Sequence, residues 1–326
     1  MTRTMTAAVI IGLFFAQSPE SRVQGPGHTV HIETVVERPE GSFVGGLTCA
    51  DFLVTVDNLA ADVEECAEDN GPVTVVVMID ITASTLWPGL GRAEFARPFT
   101  DSLLAQFGKD DRIRVASFAR RVVMAGAFTS NQRLMRDALL AAIAPRENER
   151  TGPSPIWDAL DAAITALEPE PGRRAVILMT DGKSTGNQKS LSEVADRAIA
   201  LGIPVSTVIV GGPMLLSQSS SQIALVRPGL ALERLSAATG GLAVEMLRRP
   251  VPGQPSQLTT SALALRRAYR ITIATRLTDG RFHTVLVGTR DGTLRVRARA
   301  AFLAPGTDDV AFVGRAGSQA RRTPRP

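Results

Sequence analysis

Apolar residues fall along this chain in three regimes. From His28 to Cys66, short alternating segments (His28–Val36, Asp51–Asp57 and Leu59–Cys66) are punctuated by Gly45-Gly46 and Asp57-Asn58, which predicts β strands joined by tight turns. From Val73 to about Met246, apolar runs of strand length alternate with amphipathic stretches of helix length. The run VTVVVMID opens this region with few polar interruptions and reads as a strand buried on both faces of a parallel sheet. Arg112–Phe118 is the next strand, with Arg121–Met124 as its hairpin partner, and Arg174–Thr180 and Ile203–Val210 are further buried strands. Helices are expected at Gly91–Phe107, at Asn131–Ile143 (capped by Ser130 or Asn131), and from Ser154-Pro155 to Leu167, where serine reads as the N-cap and proline as the first position. Ser190–Leu201 and Leu230–Ala238 complete the helices, a Ser/Gly/Pro-rich excursion fills Gly211–Pro228, and Leu242–Met246 reads as an edge strand. Repeated β-α units imply an α/β fold with a doubly wound, mostly parallel sheet.

Past Pro250-Val251-Pro252 the pattern gives a helix, Ser256–Arg267, and strands at Tyr269–Thr275, Arg281–Val287 and Thr293–Phe302. Neither β-rich flank has enough strands to stand alone, so residues 28–70 and 249–310 are expected to pack together as one β-sandwich beside an α/β domain at 71–248. Residues 17–27 read as a linker and 311–326 as a disordered tail.

Composition changes the picture in two places. Arg3 followed by the apolar run Ala7–Phe15 reads as a signal peptide over residues 1–16, with an uncleaved anchor as the alternative, so the protein is expected to be secreted or periplasmic, with no stable membrane span after cleavage. In an oxidising compartment Cys49 and Cys66 are expected to form a disulfide rather than a metal pair or free thiols. The formal charge of +4 is too small to argue for nucleic acid. Arg295, Arg297 and Arg299 alternate with apolar residues and, with the arginines of the tail, read as a solvated strand face rather than an anion site.

The candidate chemistry lies at strand ends. Asp80, Thr82 and Ser84 place a carboxylate and two hydroxyls at alternating positions just where the first buried strand stops. An oxygen-only set suits a hard divalent cation such as Mg²⁺. In open parallel sheets, ligands bind outside the carboxyl ends of the strands. Ser154 and Asp181, on two further loops of that edge, bring more oxygens. Trp87 and Trp157 flank these loops, as core packing or as a recognition rim.

Three motifs in order, DITAS after a buried strand, TGPSPIWDAL opening a helix and ILMTDGKSTG after a later strand, resemble the von Willebrand factor A domain over residues 73–246. The flanking LTCADFLVTVDN, YRITIATRLTDGRFHTVLV and LRVRARAAFLAP look like the secreted bacterial "VWFA-related" family. The resemblance implies a metal-ion-dependent adhesion site of Asp80, Thr82, Ser84, Ser154 and Asp181, with Thr82 standing for the usual serine and Ser154 for the usual threonine. It implies Mg²⁺, Mn²⁺ or Ca²⁺ held by hydroxyls directly and by aspartates partly through water, leaving a position for a carboxylate of a partner protein. The function implied is metal-dependent protein binding, not catalysis; a metal-dependent hydrolase and a structural envelope module without a metal are the alternatives.

Other motifs fail on spacing or context. Gly182-Lys183-Ser184 would put the first glycine of a phosphate loop at Ile177, inside a strand. Gly89-Leu90-Gly91 would put the third glycine of a dinucleotide fingerprint at Glu94. His28 and His31 fall on opposite faces of a strand, and with His283 they lie outside the α/β region, so no catalytic histidine is at hand there.

Overall fold

The computed structural model describes residues 28–85, 93–143, 151–210, 214–219, 222–226, 228–246, 262 and 265–306. The expected signal peptide, linker and tail, Trp87, the Gly89-Leu90-Gly91 stretch and most of the expected helix at 256–267 lie outside these residues.

The first flank supplies β1 (His28–Glu37), a 3-10 turn at Cys49–Asp51, β2 (Phe52–Val56), β3 (Leu59–Ala61) and β4 (Val63–Asp69). The β2–β3 hairpin turns on Asp57 and Asn58, both at positive φ (49° and 66°), a pair that side chains able to hydrogen-bond their own backbone tolerate. The segment Leu59–Cys66 is therefore two strands, not one: β3 pairs with β2, and β4 crosses to another sheet.

The α/β region runs β5 (Val73–Asp80), α1 (Ala93–Leu104), β6 (Arg112–Phe118), β7 (Val122–Met124), α2 (Gln132–Ile143), α3 (Ile156–Leu167), β8 (Arg173–Thr180), α4 (Leu191–Leu201), β9 (Val205–Val210), β10 (Met214–Ser219), β11 (Gln222–Val226), α5 (Leu230–Thr239) and β12 (Ala243–Met246). Six of these strands form a sheet in the order β12-β9-β8-β5-β6-β7, parallel except for β7. Every residue of β5 is buried, because helices cover both faces. Val75, Val77 and Ile79 face Leu103, Met135 and Leu139 of α1 and α2, while Val76 and Met78 face Ile156, Leu160 and Ile164 of α3. The chain leaves β5 for β6 on one side and later places β8 on the other, so the strand order reverses beside β5. That is the switch point at which such sheets bind ligands.

Caps set the helix ends. Ser190 and Glu193 form a capping box at the start of α4, and Gly202 closes it in the left-handed conformation. Asn131 caps α2, its Oδ1 accepting from Arg133 N at 3.0 Å and Leu134 N at 3.2 Å. The Ser/Gly/Pro-rich excursion at Gly211–Pro228 holds the antiparallel pair β10–β11, to which the sequence pattern assigns no strand.

The last flank supplies β13 (Ala268–Thr275), β14 (Phe282–Thr289), β15 (Arg295–Ala298) and β16 (Ala301–Leu303). Two four-stranded sheets result, β15-β1-β13-β4 and β16-β14-β2-β3, each mixing both ends of the chain. They enclose a core of Ile32, Phe52, Tyr269, Ile271, Val287 and Phe302. The expected strand Thr293–Phe302 breaks at Arg299-Ala300, where the chain changes sheets. The break is held by Ala300 N donating to Ala238 O of α5 at 2.8 Å and by Arg299 reaching Ile199 O of α4 at 3.0 Å. Cys49 and Cys66 are free thiols in hydrogen-bond contact. Burial, then the neighbouring Cys49, then Asp51, push the Cys66 thiol up to about 12.

Candidate metal centre

At the carboxyl end of β5, Asp80 is completely buried and receives four hydrogen bonds. Thr82 donates twice to Oδ1, from its backbone N at 3.0 Å and its hydroxyl at 2.7 Å. Ser154 Oγ and Thr180 Oγ1 donate to Oδ2 at 2.8 and 2.6 Å. Thr82 Oγ1 also lies 3.3 Å from Ser84 Oγ and 3.4 Å from Thr85 Oγ1. Three loops thus meet on one carboxylate.

Backbone contacts fix those loops. Ile81 N bonds to Phe118 O at 2.9 Å, which holds the turn after β5 against the end of β6. Ser154 exchanges bonds with Thr185, its N donating to Thr185 Oγ1 at 3.0 Å and its O accepting from Thr185 N at 2.8 Å. The α3 N-terminus is tied to the same loop, with Trp157 N donating to Asn187 Oδ1 at 2.8 Å and Asp158 accepting from Gln188 and Lys189. Ser154 is therefore not the helix cap that its sequence context suggests. Its hydroxyl is spent on Asp80, and Pro155 occupies the cap position without a side-chain bond. Trp157 is partly buried against the core beside α3, in a packing role.

Asp181 is buried too, but differently bonded. Its Oδ1 accepts from Lys183 N at 3.0 Å, and its N donates to Thr85 Oγ1 at 3.2 Å. Oδ2 has no hydrogen bond, although Lys183 Nζ stands 3.2 Å away as an ion-pair partner outside bonding geometry. Gly182, at φ +79°, makes the turn, and a Cβ there would lie 2.8 Å from Pro228 O. The sequence reading missed Thr85, Thr180 and Lys183. The first two adjoin Ser84 and Asp181, and adjacency to a named ligand was the available signal.

Among the described residues, no three His, Cys, Asp or Glu side chains gather as a metal site. The donors here are two carboxylates and several hydroxyls, a set for a hard cation rather than for zinc or copper. The unbonded Oδ2 of Asp181, buried with only an ammonium beside it, is what such a cation would satisfy. The residues fit the group.

The sequence of residues 74–226 matches the von Willebrand factor type A domain. This stretch belongs to that family. The doubly wound sheet is accordingly a von Willebrand A domain, of a family that commonly binds a divalent metal at this edge and mediates contacts between proteins. Solved structures similar to the chain include the conserved hypothetical protein BatB from Bacteroides thetaiotaomicron (20% identity, 60% of this chain and 96% of that one, TM-score 0.42). A von Willebrand factor type A protein from Catenulispora acidiphila is 12% identical over 82% of this chain and 77% of that one, with TM-score 0.45. Proximal thread matrix protein 1 from the mussel byssus, with a zinc-occupied metal-ion-dependent adhesion site, is 17% identical over 65% of this chain and 50% of that one, with TM-score 0.47. No curated protein matches the chain. No described helix is long and apolar enough to cross a membrane.

Proposed function

We propose that the von Willebrand A domain binds a divalent cation, Mg²⁺ or alternatively Mn²⁺ or Ca²⁺, through Asp80, Thr82, Ser84, Ser154 and Asp181, and uses it to bind an acidic residue of a partner protein. The observation that carries this reading is the convergence of Thr82, Ser154 and Thr180 hydroxyls on one fully buried carboxylate, next to a second carboxylate with an unbonded oxygen.

Each hydroxyl now uses its proton on Asp80, which leaves its lone pairs free to face a cation. Asp80 thereby fixes the rotamers of Thr82 and Ser154, and Ser84 remains exposed at the mouth. A bound cation supplies electrophilic attraction for a carboxylate. Lys183, partly exposed and paired with Asp181, stands at the same mouth and yields or shares its partner when a cation arrives. The work of the site is binding: its oxygens are arranged to hold a cation, and all three histidines lie in the flanks. The reading extends to export through the N-terminal apolar run, with a secreted or periplasmic location.

Titration with Mn²⁺ followed by electron paramagnetic resonance tests the metal step. One bound ion per chain, displaced by Mg²⁺ and lost in Asp80→Ala, is expected. Affinity capture in Mg²⁺ against chelator then tests the partner step. A wild-type protein that binds no Mn²⁺ at millimolar concentration would overturn the reading.

A further inference from the structure

At the opposite, amino edge of the α/β sheet lies a cleft of about 870 Å³, between that sheet and the β15-β1-β13-β4 layer. Such volume is in the range of sites for small organic molecules, which occur preferentially where two units meet. Five arginines line it: Arg173, Arg174, Arg270, Arg297 and Arg299. Among the described residues, two carboxylates do so, Glu33 and Asp69.

The pairing is incomplete. Arg173 bonds Glu33 at 2.8 Å, Arg297 bonds Glu37 at 2.7 Å, and Arg270 approaches Asp69 at 3.7 Å. Arg174 and Arg299 have no carboxylate partner among the described residues. Arg174 donates to Leu167 O, Glu168 O and Leu201 O, the carbonyl ends of α3 and α4. Arg299 donates to Ile199 O at 3.0 Å and His31 O at 2.8 Å, and its Nε has no partner. Burial pushes Arg299 down to about 10, a direction that an adjacent carboxylate would oppose. Helix carbonyl ends offset only about half a charge each. His28, whose two ring nitrogens are buried without partners, adds further unmet polar capacity to the same wall. The arginines read from the sequence as a solvated face are thus, at Arg297 and Arg299, turned inward, because the α/β layer covers that side of β15. Only Arg295 remains exposed.

Between the charged groups run apolar side chains, including Val30, Leu201, Leu265 and Phe302, with Thr29, His31 and Thr239 as further polar groups. The walls are held together by the Ala300–Ala238 backbone bond and by Gly240, where a Cβ would fall 2.8 Å from Arg299 N. The cleft is therefore preformed.

We propose that this cleft binds a small organic anion, with a carboxylate or phosphate head on the arginines and an apolar body against the aliphatic wall. The site is independent of the metal centre at the other edge. An oxyanion head matches guanidinium donors in geometry and charge.

Isothermal titration of the full chain with phenyl phosphate, benzoate, inorganic phosphate and the neutral control phenol tests this. Saturable binding of phenyl phosphate or benzoate at one per chain is expected, with inorganic phosphate weaker and phenol silent. Which of the two anions binds more tightly identifies the head group. Arg299→Gln is expected to weaken binding about tenfold or more, the worth of one charge-assisted hydrogen bond. Arg270→Gln, whose head is half exposed and holds no junction contact, is expected to weaken it several-fold and serves where Arg299→Gln does not fold. No saturable binding of either organic anion, phenol binding as tightly as they do, or affinity unchanged in the folded variants would overturn the proposal.

Discussion

Replacing Asp80 and Asp181 in turn by alanine separates the scaffold from the metal response. Asp80 carries four hydrogen bonds, and a bond to a charged group contributes about 1.5–3 kcal/mol, so their sum is about 6–12 kcal/mol. Removing a carboxylate buried among neutral donors returns several kcal/mol of desolvation. Thr82 Oγ1 recovers a little more by turning to Ser84 or Thr85, at 3.3 and 3.4 Å. A net loss of about 3 kcal/mol is expected in chelator, or roughly 6–12 °C in Tm at 2–4 °C per kcal/mol. Asp181 holds one local backbone bond and one ion pair with a partly exposed lysine, worth about 1 kcal/mol or less after screening. Its removal also relieves two carboxylates of each other. Asp181→Ala is therefore expected to melt within a few degrees of wild type, or above it.

With Mg²⁺ or Mn²⁺ at a hundred times the dissociation constant, wild type should gain about 2.7 kcal/mol. Neither aspartate variant should respond, and Ser84→Ala and Ser154→Ala should respond weakly. Arg133→Ala is the control, since Arg133 is exposed and reaches Asp137 only at 3.9 Å. Differential scanning calorimetry with and without chelator reads all of these. Asp80→Ala melting with wild type in chelator would refute the hydrogen-bond reckoning, and Asp80→Ala keeping the metal shift would refute the site.

Cys49 and Cys66 are free thiols in the structure but already touch, so oxidation on export should join them. Non-reducing peptide mapping of exported protein should find the bond, with a stabilisation of about 3 kcal/mol for so short a loop; two free thiols there would refute it. His283 lies between Asp279 (3.0 Å) and Asp57 (2.7 Å), whose hydrogen bonds hold its pKa above the ordinary histidine value. Its contribution to stability is thus present below pH about 6.5 and lost as pH rises through the raised pKa. An NMR titration of the His283 ring placing its midpoint below that of a free histidine would contradict this. Gly182→Ala forces a side chain into a positive-φ turn against Pro228, at a cost of about 1–3 kcal/mol. It should blunt the metal response seen by calorimetry without touching a ligand; an unchanged melting curve would contradict the turn.

What the sequence disclosed followed from burial. β5 and β8 are runs of apolar residues because both faces are covered, and such runs can be read without knowing the cover. The motif residues were legible because Asp80, Thr82 and Ser84 share one strand end. Sheet changes were not legible. Leu59–Cys66 and Thr293–Phe302 run on in sequence through Asp62 and Arg299-Ala300; the first breaks because β3 pairs with β2 while β4 pairs with β13, and the second because α4 and α5 hold Arg299 and Ala300. Ser154 was misread for a related reason. A serine before a proline at a helix start satisfies the local cap rule, and the competing acceptor is 74 positions away in sequence.

The two clusters answer opposite charge problems set by one architecture. A parallel sheet wound with helices turns helix N-termini, partially positive, toward its carboxyl edge and helix C-termini, partially negative, toward its amino edge. Buried carboxylates are tolerated at the first edge and buried guanidiniums at the second. Asp80 and Asp181 lie at the carboxyl ends of β5 and β8, near the start of α3. Arg174 and Arg299 sit on the last carbonyls of α3 and α4. In each case the side-chain charge exceeds what the helix ends offset. The carboxyl edge has one partly exposed lysine against two buried carboxylates, and among the described residues the cleft at the amino edge sets three carboxylates, Glu33, Glu37 and Asp69, against five arginines. A cation would complete the first and an anion the second, and the fold's own dipoles would account for two such sites facing away from each other.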